Sequence, residues 1–109
     1  MLKEKINLTE EGIERLIALG ANRWSKYGKD RIYLKNITKE LGLEFEKYHT
    51  GNISSAKFKG DMISNSQCGR MLNQIEKAFV DITTSEVVMD GREDEGQLFI
   101  DSLKEILDK

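Results

Sequence analysis

The fold class follows from residues 43–67, which read LEFEKYHTGNISSAKFKGDMISNSQ. Apolar and polar side chains alternate through Leu43–Tyr48, as they do in a half-buried strand, and Ile53–Lys59 predicts the next strand, with Ala56 and Phe58 on one face. The intervening Thr50-Gly51-Asn52 predicts a turn, and Lys59-Gly60-Asp61 predicts a second turn before a short strand at Met62-Ile63. Consecutive strands joined by such short turns pair antiparallel, so this stretch predicts an antiparallel sheet.

Three main helices are predicted around these strands, near residues 9–24, 65–77 and 94–108. The second begins at Ser64-Asn65-Ser66-Gln67, which has the form of a capping box. The first continues as far as Trp24, because the apolar residues from Ile13 onward recur at three- and four-residue spacing. Acidic residues at the starts of the first and third helices suit the positive end of a helix dipole.

Shorter elements complete the order of the chain. We expect strands at Arg31–Leu34, Ala78–Ile82 and Glu86–Met89, and a brief helix at Asn36–Leu41 that Gly42 ends. No proline-rich or repeated segment marks a boundary within the 109 residues. The sequence therefore predicts a single α+β domain over residues 1–109, a small antiparallel sheet with about three main helices packed on it.

The cysteine count and the apolar segments of the sequence indicate the cellular compartment of the protein. The single cysteine, Cys68, excludes an intramolecular disulfide and suits a reducing compartment. The sequence begins without the apolar stretch of a signal peptide, and no segment is long and apolar enough to cross a bilayer. We expect a cytoplasmic protein that makes no membrane contact.

Residue types for catalysis or metal binding are sparse. The only histidine, His49, has no second soft ligand near it, and Cys68 lies in the apolar stripe of a predicted helix. The glycines form no phosphate-binding pattern. The acids at 90–95 lack the spacing of a calcium loop and are explained by the start of a helix. We expect no enzyme activity, no metal and no cofactor.

The most suggestive stretch for binding is residues 22–39, with six cations against one acid and three interleaved aromatic residues. Cations neutralise phosphates, and aromatic rings stack on bases or anchor a protein partner. The alternative is that Trp24 is a core residue and the lysines are ordinary solvated side chains. The candidate binding residues are Arg23, Lys26, Tyr27, Lys29, Arg31, Tyr33 and Lys35.

Charge is unevenly distributed along the chain. Residues 1–59 carry 12 Lys and Arg against 8 Asp and Glu, whereas residues 60–109 carry 5 against 11. This asymmetry fits a surface for nucleic acid, an acidic region at 81–109 that imitates a phosphate backbone, or two regions that attract each other in a homo-oligomer. Solvated surface also explains the acidic region.

Three segments, Gly20–Tyr33, Leu41–Leu43 and Thr50–Ala56, resemble small accessory proteins of Gram-positive bacteriophages and mobile elements, some of which are anti-CRISPR or other anti-defence inhibitors. The resemblance covers roughly residues 20–70. It implies an inhibitor in the bacterial host cytoplasm that binds a protein such as a CRISPR effector and blocks its handling of nucleic acid. The alternative is a small regulatory protein that binds nucleic acid directly through residues 22–39.

Overall fold

The computed structural model describes all residues from 1 to 109 and contains three helices and eight strands. The helices are α1 (Glu10–Leu19), α2 (Asn65–Lys77) and α3 (Glu93–Leu107). The strands are β1 (Leu2–Lys5), β2 (Asn22–Lys26), β3 (Lys29–Tyr33), β4 (Leu43–Lys47), β5 (Ile53–Phe58), β6 (Asp61–Met62), β7 (Phe79–Asp81) and β8 (Glu86–Met89). A 3-10 turn occupies Lys35–Ile37. The predicted α+β class is confirmed.

The strands form two sheets rather than the single sheet that we predicted. The larger has the order β1-β8-β7-β3-β2, and the smaller has the order β4-β5-β6. Every neighbouring pair of strands is antiparallel. The strand β1 was not predicted, because four residues at a chain end carry little periodic signal.

The prediction that the first helix reaches Trp24 is wrong. The helix ends at Leu19, because Gly20 has a φ of 115° and the Ala21 N–H donates to the Leu16 carbonyl at 3.0 Å, as in a Schellman motif. The chain then reverses into β2, which places Trp24 on a strand. The predicted brief helix at 36–41 is a 3-10 turn of three residues followed by hydrogen-bonded turns.

Side-chain caps are present at the starts of α1 and α2. The Thr9 hydroxyl accepts from the Gly12 N–H at 3.0 Å, and the Ser64 hydroxyl accepts from the Gln67 N–H at 3.1 Å. Each bond satisfies an amide that has no partner within its helix. The starts of α1 and α2 therefore lie where the sequence places them.

Helices α2 and α3 contact both sheets, and α1 packs against α3. On the larger sheet, Ile32, Val80 and Val87 are fully buried on the helix side. Helix α2 contacts both β5 and β8, and the Phe58 ring of the smaller sheet meets the Phe99 ring of α3 edge-on at 5.7 Å. One continuous core of 23 buried apolar residues results.

No helix is long and apolar enough to cross a membrane.

Candidate binding surface

The side of the larger sheet that faces away from the helices carries most of the predicted binding residues. Side chains alternate along each strand, and the register across the five strands places one set on this side. We call this set the outer face. Its members are Lys3, Lys5, Asn22, Trp24, Lys26, Lys29, Arg31, Tyr33, Phe79, Asp81, Glu86 and Val88.

The outer face is open and partly aromatic. None of its side chains is buried, whereas the apolar residues that alternate with them, Ile32 on β3, Val80 on β7, and Val87 and Met89 on β8, are buried. Trp24, Tyr33, Phe79 and Val88 are all partly exposed there. The solvated side of an antiparallel sheet is ordinarily polar, so this set of large apolar side chains makes the outer face a candidate binding surface.

Arg31 holds the centre of this surface together. Its guanidinium carbon lies 4.2 Å from the centroid of the Phe79 ring, within range of a cation–π contact. Its Nη1 donates a long hydrogen bond of 3.4 Å to the Tyr33 hydroxyl. The Tyr33 and Phe79 rings are themselves 5.7 Å apart, so three planar groups from two neighbouring strands form one cluster.

The balance of charge on the outer face is opposite to that of the whole chain. Five of its side chains are cationic and two are carboxylates, a balance of +3, against −2 for the protein. The Thr83 hydroxyl donates to Asp81 at 2.6 Å, and this bond is the main reason that the pKa of Asp81 lies below its usual value. Asp81 is therefore counted as an anion, and the net formal charge of the outer face stays positive.

The turn between β2 and β3 carries the most exposed aromatic side chain of the protein. Tyr27 is 91% exposed. Its φ is 54°, and that of Gly28 is 73°, as the type I′ turn of a two-residue hairpin requires. A left-handed conformation is unfavourable for a residue with a β-carbon, and Asn or Gly is preferred at this position. The ring is thus neither packed nor favoured by the backbone.

The structure separates the seven predicted residues. It brings Lys26, Lys29, Arg31 and Tyr33 together on the outer face and places Tyr27 at the hairpin tip. Arg23 and Lys35 lie outside the outer face.

Arg23 is on the opposite side of the hairpin, where its Nε and Nη2 donate to Asp30 at 3.0 and 2.8 Å. These bonds lower the pKa of Asp30 and offset the charge of Arg23. Lys35 lies beyond β3 in the 3-10 turn, beside a groove that contains Phe45. Neither contributes to the cluster around Arg31.

Sequence reasoning missed part of the surface. Lys3, Phe79 and Val88 join the outer face only because β1, β7 and β8 pair next to β3. The alternation in Glu86–Met89 was visible in the sequence, but nothing in it showed which strand would lie beside which. Pairing of distant strands had no signal in a single sequence.

Cys68 and His49, which the sequence also drew attention to, lie outside the outer face. Cys68 is fully buried in α2, and burial raises the pKa of its thiol. His49 is exposed in the turn after β4. No three His, Cys, Asp or Glu side chains are grouped so that they would hold a metal ion.

The acidic region does not form one continuous array. The Glu95 carboxylate is buried, where it accepts from the Arg70 Nε at 2.9 Å, and Glu105 pairs with Lys59 at 2.9 Å. The buried Glu95 carboxylate is unavailable to imitate a phosphate, and the ion pair with Lys59 offsets the charge of Glu105.

No family model matches the sequence, and the comparisons with curated proteins and with solved structures found no match.

Proposed function

We propose that this chain is a non-enzymatic binding protein that uses the outer face to bind single-stranded nucleic acid. The observation that supports the proposal is the cluster of Arg31, Tyr33 and Phe79 on an open antiparallel sheet, with Trp24 beside it. Aromatic rings and guanidinium planes stack on unpaired bases, and surrounding lysines neutralise phosphates. A flat sheet offers bases a platform that a duplex, with its bases stacked inside, does not use.

The protein contains one tryptophan, Trp24, and it lies on the proposed surface. Its fluorescence therefore reports binding without a label. We expect quenching when a single-stranded oligonucleotide is added and none with the same sequence as a duplex. Quenching by the duplex alone, or no quenching by either, contradicts the proposal.

The dependence of affinity on salt concentration distinguishes this nucleic-acid contact from a protein contact made by aromatic side chains. If three of the outer-face cations each neutralise one phosphate, the logarithm of the affinity should fall with the logarithm of salt with a slope of about −2. Lys26→Ala with Lys29→Ala should reduce that slope. The matched control is Lys39→Ala with Lys57→Ala, which removes the same charge away from the outer face and should leave the slope unchanged.

A second candidate is an inhibitor of a bacterial defence system, such as a CRISPR effector, that acts by protein–protein binding. It is supported by the exposed ring of Tyr27 in an unfavourable backbone conformation, which suits a protein hot spot, and by the net charge of −2. The resemblance of residues 20–70 to phage accessory proteins points the same way. This candidate predicts equimolar inhibition of nuclease cleavage that depends only mildly on salt.

The two candidates differ in which variant removes activity. Tyr27→Ala should abolish inhibition in the second candidate, with a loss of about 2 kcal/mol or more in partner binding. In the first candidate, Tyr33→Leu and the lysine pair should have the larger effects. An inhibitory activity that survives Tyr27→Ala excludes the hairpin tip as the protein contact.

A further inference from the structure

The smaller sheet has an accessible edge at β4. In the order β4-β5-β6, β4 pairs only with β5, and its other side is open. Four of its five residues are exposed, and these include Phe45, which points to the same side as the buried Leu43. An exposed edge strand presents unpaired backbone groups to which an extended chain can add.

The register identifies which backbone groups are free. The Lys59 N–H donates to the Gly42 carbonyl at 2.9 Å. Since every second residue of an antiparallel strand bonds to its neighbour, the backbone groups of Gly42, Glu44 and Glu46 face β5. The backbone of Phe45 therefore faces the open edge. The Leu43 N–H points the same way and donates to the Thr38 carbonyl at 3.2 Å, which ends the free edge on that side.

Two hollows border Phe45 and Thr38. The larger, about 610 Å³, lies between Asn36–Lys39 and the β4–β5 pair. The smaller, about 450 Å³, has Leu72 and Ile75 of α2 as its apolar wall. An added strand needs space for side chains that alternate between two sides, and the two hollows provide polar and apolar space respectively.

The charges on β4 indicate which kind of chain can pair with its open edge. Glu44 and Glu46 flank Phe45 on the exposed strand. Glu44 lies opposite Lys57 of β5 and Glu46 lies opposite Ser55, and neither carboxylate is within 4 Å of a cation. A second copy pairing antiparallel through Phe45 would set Glu44 opposite Glu46 twice, which is unfavourable. A segment with basic residues at these two positions gains two opposite-charge pairs instead.

We propose that the β4 edge binds an extended peptide segment of a protein partner, antiparallel to β4, with the pattern basic–apolar–basic opposite Glu46, Phe45 and Glu44. The central apolar side chain packs toward Leu72 and Ile75, and its backbone exchanges two hydrogen bonds with Phe45. The irregular register at Glu46/Lys47 limits the regular pairing to these three positions. This inference does not rest on the nucleic-acid proposal.

The probe is the capped peptide Val-Lys-Val-Lys-Val, titrated into isotope-labelled protein and followed by NMR. The Phe45 amide should shift most, and its hydrogen exchange should slow. N-methylation of the central valine removes the donor to Phe45 and should weaken binding by about tenfold or more, whereas N-methylation of the second lysine, whose N–H faces away, should change it by less than about twofold.

Charge reversal gives a test that does not depend on a loss alone. Glu44→Lys with Glu46→Lys should lose the lysine peptide and bind Val-Glu-Val-Glu-Val instead. Equal effects of the two N-methylations, shifts centred away from β4, or no saturable binding of the lysine peptide would each overturn the proposal. Tyr33→Leu should weaken oligonucleotide binding to the outer face and leave binding of the lysine peptide unchanged, which keeps the two proposals distinguishable.

Discussion

Replacing Tyr27 by asparagine should stabilise the fold and, if the protein is an inhibitor that binds through the hairpin tip, weaken binding of its partner. The φ of 54° at Tyr27 and of 73° at Gly28 define a turn for which Asn-Gly is the preferred sequence. A left-handed conformation costs an ordinary residue roughly 1–2 kcal/mol, which asparagine largely avoids. Because Tyr27 is 91% exposed, little buried area is lost. We expect a gain of about 1 kcal/mol in the free energy of unfolding.

The corresponding shift in melting temperature follows from chain length. An unfolding entropy of roughly 2.1 cal/mol/K per residue, over a chain of this length, makes 1 kcal/mol equal to about 4 °C. Thermal unfolding followed by circular dichroism resolves such a shift. Tyr27→Ala is the matched control, since it removes the ring and leaves the backbone strain, and it should not raise the melting temperature.

Binding is measured on the same three proteins. If the ring contacts the partner, Tyr27→Asn and Tyr27→Ala should weaken binding equally although their stabilities differ. A Tyr27→Asn variant that melts no higher than the wild type would show that the turn is not strained. A variant that melts higher and binds with full affinity would show that the ring is not part of the contact.

Three further predictions concern the core and the charges. The Cys68 thiol should not react with the thiol reagent DTNB in the native protein and should react fully in denaturant, because the thiol is buried and its pKa is raised. Rapid reaction in the folded protein would contradict this prediction. Arg70→Ala should lower the free energy of unfolding in urea by about 2 kcal/mol, since it leaves the buried Glu95 carboxylate without its cation while Arg70 itself is half exposed, and a loss below about 0.5 kcal/mol would show that the pair is solvated. Because the pKa of Asp81 is lower in the folded than in the unfolded protein, its ionised carboxylate stabilises the fold at any pH above the unfolded-state pKa. This stabilisation is lost as the pH falls through the folded-state pKa. Thr83→Val removes the largest of the donors that lower this pKa, so the stability of the variant should decline less than that of the wild type as the pH falls below about 5, and parallel declines would exclude this cause.

Local patterns in the sequence were sufficient for the elements whose ends carry side-chain signals. The hydroxyl of Ser64 and the apolar stripe after it placed α2 at its observed bounds, because capping and amphipathic spacing act within a few residues. The side-chain patterns of Leu43–Tyr48 and Ile53–Lys59, with the turn between them, predicted the two strands of the β4–β5 hairpin for the same reason. The binding role of Lys26, Lys29, Arg31 and Tyr33 remains a prediction.

Other features depended on tertiary structure. The helical spacing that continues from Ile13 to Trp24 conflicts with the backbone reversal at Gly20, and the reversal prevails because β2 pairs with β3. The outer face has no periodic signal, because Phe79 lies beside Tyr33 only through pairing of strands more than forty residues apart. Composition and local spacing thus determined an α+β domain with a basic, aromatic segment. Only the order of the strands decided that Arg31 stacks on Phe79 while Arg23 pairs with Asp30 on the opposite side.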